Sequence, residues 1–206
     1  MTVNRLSTDL LRSMLARALA DVSFRADEFS ALDALTGDGD HGQAIVNVLA
    51  VADATAKKPG DLKAILSDIG FNIMLETSGS TSTLYGAFFL GMADAAVTEP
   101  DAQEFKTMMN GALAGVRKNT KAGVGDKTMM DALIPAVEAI EACESQNIGE
   151  LLHVGAEAAK KGAEATVAMK ANFGRSRNYS ERSIGTADAG ASSCACIFGA
   201  FYNALH

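Results

Sequence analysis

Three aspartates lie close together in a glycine-rich stretch, "ALDALTGDGDHGQA" (31–44). Asp33, Asp38 and Asp40 offer hard oxygen donors, and placing three such anions together is costly unless a cation neutralises them. An all-carboxylate set suits Mg²⁺ or Mn²⁺, whereas zinc would call for His or Cys, and the spacing differs from a calcium EF-hand loop. The stretch therefore predicts a divalent-metal site with room for phosphate ligands. The alternative, that Asp38 and Asp40 only form a turn and cap the next helix, stays open.

Two neighbouring features could contact a phosphate. His41 follows the aspartates directly, and its position fits both a loop histidine with protein partners and a contact to a phosphate or nucleotide. In "TSGSTSTLYG" (77–86), small residues would let an anion approach backbone amides, and a helix predicted to begin near Leu84 would point its positive N-terminus there. Ser and Thr before a helix are also ordinary N-caps, so this stretch alone does not decide.

Two later junctions are also polar and rich in glycine. In "GVGDKTMMDA" (123–132), Gly125 and Asp126 are typical of a turn and cap, and Met129 is typical of a core residue whose thioether could flank a base. The segment "NFGRSRNYSERSIGTADAG" (172–190) is predicted to lack regular structure. It supplies three arginines, which are either surface residues or bidentate phosphate ligands: Arg175, Arg177 and Arg182.

The elements that must position these residues are helices. Apolar residues recur at helical spacing, and runs with the alternation of strands are missing. The predicted helices are Thr8–Val22, Asp27–Leu35, Gln43–Ala56, Leu62–Leu75, Leu84–Val97, Ala102–Lys118, Met129–Cys143, a long helix opened by Asn147 and Ile148 that runs to Ala171, and Ala191–Leu205. Eight or nine helices without a Pro-rich linker indicate an all-α bundle that forms one domain over residues 1–206.

Composition excludes several classes of protein. With 206 residues, 48% of them hydrophobic, the chain can bury one large core, and a formal charge of −7 argues against nucleic-acid binding. Cys143, Cys194 and Cys196 form no pair of CxxC units, which favours reduced thiols in a cytosol. Charged residues interrupt the apolar residues of the N-terminal stretch, which argues against a signal peptide or membrane span. We therefore expect a soluble cytoplasmic protein.

Four motifs together resemble a known family: "GDGDHG", "GSTSTLYGAFFLG", "GDKTMMDALIPA" and "GRSRNYSERSIGTADAG". They are similar to the ADP-binding L subunits of dihydroxyacetone kinases, which correspond to the C-terminal domain of the single-chain, ATP-dependent kinases. The resemblance covers nearly the whole chain. It implies an antiparallel eight-helix barrel with the nucleotide bound at one end.

The resemblance also implies site residues. Asp33, Asp38 and Asp40 would hold two Mg²⁺ ions against the phosphates of ADP or ATP, and no residue of this subunit would serve as nucleophile or general base. The implied nucleotide contacts are His41, Gly42, Gln43 and Ala44 on the phosphate side, Ser80 and Thr81 as phosphate donors, Thr120, Met129 near the adenosine, Arg175, and Asp188, Ala189 and Gly190 closing the site. The chain departs from the family pattern at Ser82 (usually Gly), at Ala189 (usually Pro) and near Thr120 (often Gly), all of which we expect at the nucleotide rim.

The function implied by the resemblance is phosphoryl transfer to a short-chain ketose. A separate K subunit would hold the ketose, either dihydroxyacetone or a tetrulose. The donor would be a phosphotransferase-system protein charged by phosphoenolpyruvate or free ATP, and a stand-alone L subunit favours the first. A homodimer is also compatible with this plan. The alternative is a module that binds ADP and Mg²⁺ and signals to a transcription factor without catalysing transfer.

Overall fold

The computed structural model describes residues 3–206, apart from the side chains of Arg175 and Ser180. Over this range the chain is helical and no residue is assigned to a strand. The α-helices are α1 (Thr8–Phe24), α2 (Ala26–Ala34), α3 (His41–Ala56), α4 (Leu62–Glu76), α5 (Gly79–Asp94), α6 (Ala102–Arg117), α7 (Met130–Ala142), α8 (Ile148–Ala165) and α9 (Ala189–Asn203), and short 3-10 helices cover Thr166–Ala168 and Arg175–Ser183. Within the described residues, none of these helices combines the length and the apolar character needed to span a bilayer.

Eight of the helices close into a ring. In order around the ring, α1 packs on α3, followed by α4, α5, α6, α7, α8 and α9, which returns to α1. The short α2 lies outside the ring and packs on α3 and α9. Buried aliphatic and aromatic side chains fill the interior, including Phe89, Phe105 and Phe198. The predicted all-α barrel is therefore confirmed, with α2 as an addition to the ring.

Glycines allow a close contact between α5 and α6. A Cβ atom at Gly91 would lie 2.2 Å from the carbonyl oxygen of Gly111, and one at Gly115 would lie 2.3 Å from that of Ala87. The two backbones therefore touch, and the pairing of residue 91 with 111 and of 87 with 115 shows that these helices run antiparallel. Close contact of two backbones leaves little freedom for α5, which carries Ser80 and Thr81 in its first turn.

Two predicted helix boundaries and the prediction for one loop were wrong. Helix α5 begins at Gly79 rather than near Leu84, because the hydroxyls of its first turns find carbonyl acceptors: Thr83 donates to Gly79 O at 3.2 Å. Helix α8 ends at Ala165 rather than Ala171, where the Thr166 hydroxyl donates to Ala163 O at 2.5 Å. The loop 172–190, expected to be irregular, contains the 3-10 helix Arg175–Ser183.

Candidate functional site

A cavity of about 500 Å³ lies at one end of the barrel. The N-terminal residues of three helices contribute to its wall: α3 through His41, α5 through Ser80 and α9 through Ala189. Met129, the N-cap residue of α7, adds the N-terminus of a fourth helix. Helix N-termini carry partial positive charge and unpaired N–H groups. This end of the barrel therefore suits an anion such as a phosphate.

The acidic loop between α2 and α3 forms one rim of the cavity. Single carboxylate oxygens of Asp33, Asp38 and Asp40 lie within 4.8 Å of one another. The loop folds around Asp33, whose Oδ2 accepts a hydrogen bond of 2.8 Å from Gly39 N, and Gly39 has a positive φ of 76° that favours glycine. Three oxygen donors at this spacing fit a hard cation such as Mg²⁺, which usually binds few carboxylates and keeps positions for phosphate oxygens.

His41 joins the acidic loop to the opposite wall. Its Nε2 lies 2.8 Å from the hydroxyl of Ser193, which itself donates to Gly190 O at 3.1 Å. Burial lowers the pKa of His41, and the negative charges of Asp33 and Asp40 oppose this effect. The imidazole is therefore mostly neutral near pH 7, and because the Ser193 hydrogen goes to Gly190 O, its Nε2 is the donor to Ser193 and its Nδ1 is left as an acceptor.

The three residues after His41 lie outside the cavity lining. Gly42 packs on the start of α2, where a Cβ atom would lie 1.9 Å from Ala26 O. Gln43 is exposed and donates to Asn47 Oδ1 at 2.8 Å, and Ala44 is half-buried. Gly42 thus holds the start of α3, and with it the acidic loop, against α2.

Ser80 and Thr81 line the cavity from the first turn of α5. Ser82, one of the departures from the family pattern, does not line the cavity. It is buried, and its hydroxyl donates to Ile73 O at 3.0 Å near the end of α4. The serine at this position therefore serves the contact between α4 and α5 and points away from the cavity.

The starts of α7 and α9 face each other across the cavity wall. Met129 lines the cavity, and the α-carbon of Gly190 faces it, so that a Cβ atom there would lie 3.5 Å from Met129 N. Asp188 caps α9 by accepting from Ala191 N at 2.7 Å. Burial raises the pKa of Asp188 to about 6, although this hydrogen bond and Lys127 lower it. Ala189, the second departure, also lines the wall.

The remaining sequence-predicted residues lie in two loops. Thr120 lines the cavity, and its hydroxyl accepts from Ala122 N at 3.1 Å. The side chain of Arg175 lies outside the described residues. Its neighbour Ser176 lines the cavity, and the hydroxyl oxygens of Ser176 and Thr36 lie 2.7 Å apart. This hydrogen bond links the 3-10 segment to the acidic loop. Arg177 and Arg182 are exposed and lie outside the cavity lining.

Sequence reasoning missed Lys127, which is only 3% exposed and lines the cavity. Its ammonium group donates to the main-chain oxygens of Thr166, at 2.6 Å, and of Thr186. Burial lowers the pKa of Lys127, and the charges of Asp188 and Asp131 oppose this. The motif "GDKTMMDALIPA" contains this lysine, but nothing local to it indicates that the side chain is buried.

Comparisons with known proteins identify the family and the fold of this chain. A family model described as the DAK2 domain matches residues 35–203. The chain is 31% identical over 196 residues to the ADP-binding subunit DhaL of the PEP-dependent dihydroxyacetone kinase of Escherichia coli, covering 91% of this chain and 92% of that one. It is 32% identical over 190 residues to a D-erythrulose kinase of Mycolicibacterium smegmatis, covering 88% of this chain but 32% of that one. The crystal structure of the dihydroxyacetone kinase from C. freundii in complex with AMP-PNP and Mg²⁺ has a similar fold, with a TM-score of 0.72 at 23% identity, over 98% of this chain and 35% of that one.

Proposed function

Because the chain belongs to the DAK2 domain family, we propose that it is the nucleotide-binding, phosphoryl-transferring subunit of a short-chain ketose kinase. The observation that carries the proposal is the combination at one cavity: three carboxylates that fit a cation, facing helix N-termini that fit an anion. A nucleotide diphosphate or triphosphate with Mg²⁺ presents both charges at once. A cavity of about 500 Å³ is also within the range that small-molecule ligands occupy.

In this proposal Asp33, Asp38 and Asp40 hold two Mg²⁺ ions. When bound, these ions neutralise phosphate charge and orient the phosphoryl group, which is where most catalysis of phosphoryl transfer originates. The chain itself binds and orients the nucleotide. Backbone N–H groups and hydroxyls of Ser80 and Thr81 donate to phosphate oxygens, and Met129 packs near the base.

Further contacts belong to the same proposal. His41, with Gly42, Gln43 and Ala44, holds the phosphate side, through its side chain or by setting the start of α3. Thr120 and Arg175 reach the nucleotide from their loops, and the first turn of α9, Asp188 to Gly190, closes the site. None of these residues needs to serve as nucleophile or base, since positioning and charge are the main requirements of the reaction.

The acceptor belongs to a partner protein in this proposal. A ketose-binding K subunit presents the hydroxyl group at the mouth of the cavity, near the exposed apolar side chain of Leu35, which precedes the lining residue Thr36. For the donor we favour a phosphotransferase-system protein charged by phosphoenolpyruvate, because a relative that matches this chain over nearly its full length is a PEP-dependent subunit. Either dihydroxyacetone or a tetrulose fits, since a second relative is a D-erythrulose kinase.

Reconstitution tests the proposal. The protein is mixed with candidate K subunits and either dihydroxyacetone or erythrulose, and ketose phosphate is measured with ATP or with a phosphoenolpyruvate-driven donor chain. We expect phosphorylation with one donor and its loss in the Asp38→Asn variant. Nucleotide binding without transfer in every combination would contradict the kinase function and favour a nucleotide-sensing module instead.

A further inference from the structure

Lys127 joins three separate segments of the chain, two of which line the cavity. It lies in the loop before α7, its carbonyl partner Thr166 follows the end of α8, and its other partner Thr186 lies shortly before α9. The backbone of Lys127 has a φ of 60°, a region that residues other than glycine rarely occupy. A lysine that is 3% exposed and held in this conformation indicates a position fixed by its surroundings.

Both partners of Lys127 support the segment Thr186–Gly190, here called the α9 wall. Thr166 links Lys127 to the wall, because its carbonyl oxygen accepts from Lys127 and its hydroxyl accepts from Asp188 N at 2.9 Å. The second carbonyl partner, Thr186, is the first residue of the wall itself. Lys127 therefore holds the wall directly and through Thr166.

The α9 wall in turn sets the orientation of the helix N-terminus that faces the cavity. Asp188 caps α9, Gly190 faces Met129, and Ser193 in the next turn contacts His41. A small displacement of the wall would therefore move groups on both sides of the cavity. Misplaced positioning groups can weaken binding and catalysis strongly even when they are remote from the reacting atoms.

From these contacts, and resting on the proposed nucleotide site, we propose that Lys127 is a positioning residue that fixes the α9 wall for nucleotide binding. The two carbonyl bonds occupy two of its three ammonium hydrogens and account for its buried place beside the cavity. Its positive charge lies near Asp188 and Asp131, so it also offsets negative charge where the ligand is itself an anion.

A second buried lysine provides a matched control. Lys106 on α6 is 8% exposed and donates to the main-chain oxygen of Cys143 at 2.5 Å, at the C-terminus of α7 and outside the cavity lining. The Lys106→Met variant removes a buried ammonium and its hydrogen bond to one main-chain oxygen, whereas Lys127→Met removes a buried ammonium and two such bonds. It therefore reports what the loss of such a lysine does to the fold alone.

The experiment measures Mg-ADP affinity by titration calorimetry for the wild type, Lys127→Met and Lys106→Met. We expect at least a tenfold loss of affinity in Lys127→Met and a change of less than twofold in Lys106→Met. Hydrogen exchange should also quicken at the amides of the α9 wall in Lys127→Met only. Affinity within twofold of the wild type in Lys127→Met, or equal losses in both variants, would overturn the inference.

Two further outcomes are also decisive. If Lys127→Met does not melt cooperatively, Lys127→Gln, whose side chain is one bond shorter and carries no charge, is held to the same tenfold criterion. Failure of both variants to melt cooperatively would overturn the inference, because the lysine would then serve the whole fold. If the wild type itself does not bind Mg-ADP, the proposed function fails before the role of Lys127 is reached, so the two failures are distinguishable.

Discussion

The raised pKa of the half-buried Asp188 carboxyl group predicts that its negative charge lowers the stability of the folded protein at neutral pH. Asp188 caps α9 with a hydrogen bond from Ala191 N, and an asparagine side chain can accept the same bond. The Asp188→Asn substitution therefore removes the negative charge while keeping the cap. We expect the variant to unfold less readily than the wild type at neutral pH in the absence of metal and nucleotide.

The magnitude follows from the pKa of Asp188. Burial raises it from the ordinary value of 3.8 to about 6, and at 1.36 kcal/mol for each pH unit this corresponds to about 3 kcal/mol. The raised pKa means that the stabilisation from protonating Asp188 is present below pH 4 and lost as the pH rises through 6. Because the residue is only partly covered, 3 kcal/mol is an upper limit, and we expect the variant to gain about 1 to 3 kcal/mol at pH 7.5.

Urea denaturation of the metal-free protein at pH 7.5 and pH 4.5 measures this gain. It should fall to less than half at pH 4.5, where the folded wild type already holds the proton. Asp101→Asn is the control, since Asp101 caps α6 by accepting from Glu104 N at 3.0 Å and lies outside the cavity lining. Equal or lower stability of Asp188→Asn at pH 7.5, or a gain that does not depend on pH, would refute the reasoning.

Three other predictions concern the rim of the cavity. Asp38→Asn should abolish Mg²⁺-dependent nucleotide binding in calorimetry. The stability of the apo protein should stay unchanged or rise slightly, because repulsion between carboxylates is relieved. The control variant, Asp27→Asn, changes an exposed residue on α2 and should bind the nucleotide normally. The polar segment 174–190 is interpreted as a lid, so its amide hydrogens should exchange more slowly when Mg-ADP is bound. Arg175→Ala should weaken nucleotide binding by roughly 1.5 to 3 kcal/mol. Equal hydrogen exchange with and without ligand would rule out a lid. Ser82→Gly should lower the free energy of unfolding by about 1 kcal/mol or more, because a hydrogen bond is lost and glycine destabilises a helix. Nucleotide affinity should not change. A changed affinity would place the Ser82 hydroxyl in the nucleotide site.

The acidic loop could be predicted from the sequence because its geometry is local. Asp33, Asp38 and Asp40 are close in the chain, and the glycines among them allow the tight turn that brings their oxygens within 4.8 Å. Most helix boundaries could be predicted for a similar reason. Apolar periodicity and caps such as Asp61 and Asp101 lie within a turn of the helix that they define.

Features that depend on distant partners could not be predicted. Ser82 sits inside α5 because its hydroxyl reaches Ile73 O on the preceding helix, which a local reading of Ser and Thr as helix interrupters does not anticipate. Lys127 is buried because its acceptors come from Thr166 and Thr186, which lie 39 and 59 residues further along the chain. A lysine is rarely buried without such partners, and only the fold supplies them.

The central claim is that the cavity binds a nucleotide together with Mg²⁺. It is tested most directly by the free energy of unfolding of the wild-type protein with and without Mg-ADP. At a ligand concentration a hundred times the dissociation constant, binding to the folded state should add about 2.7 kcal/mol, and replacing Mg²⁺ with EDTA should remove most of that gain. No change in unfolding free energy at millimolar Mg-ADP would contradict the claim.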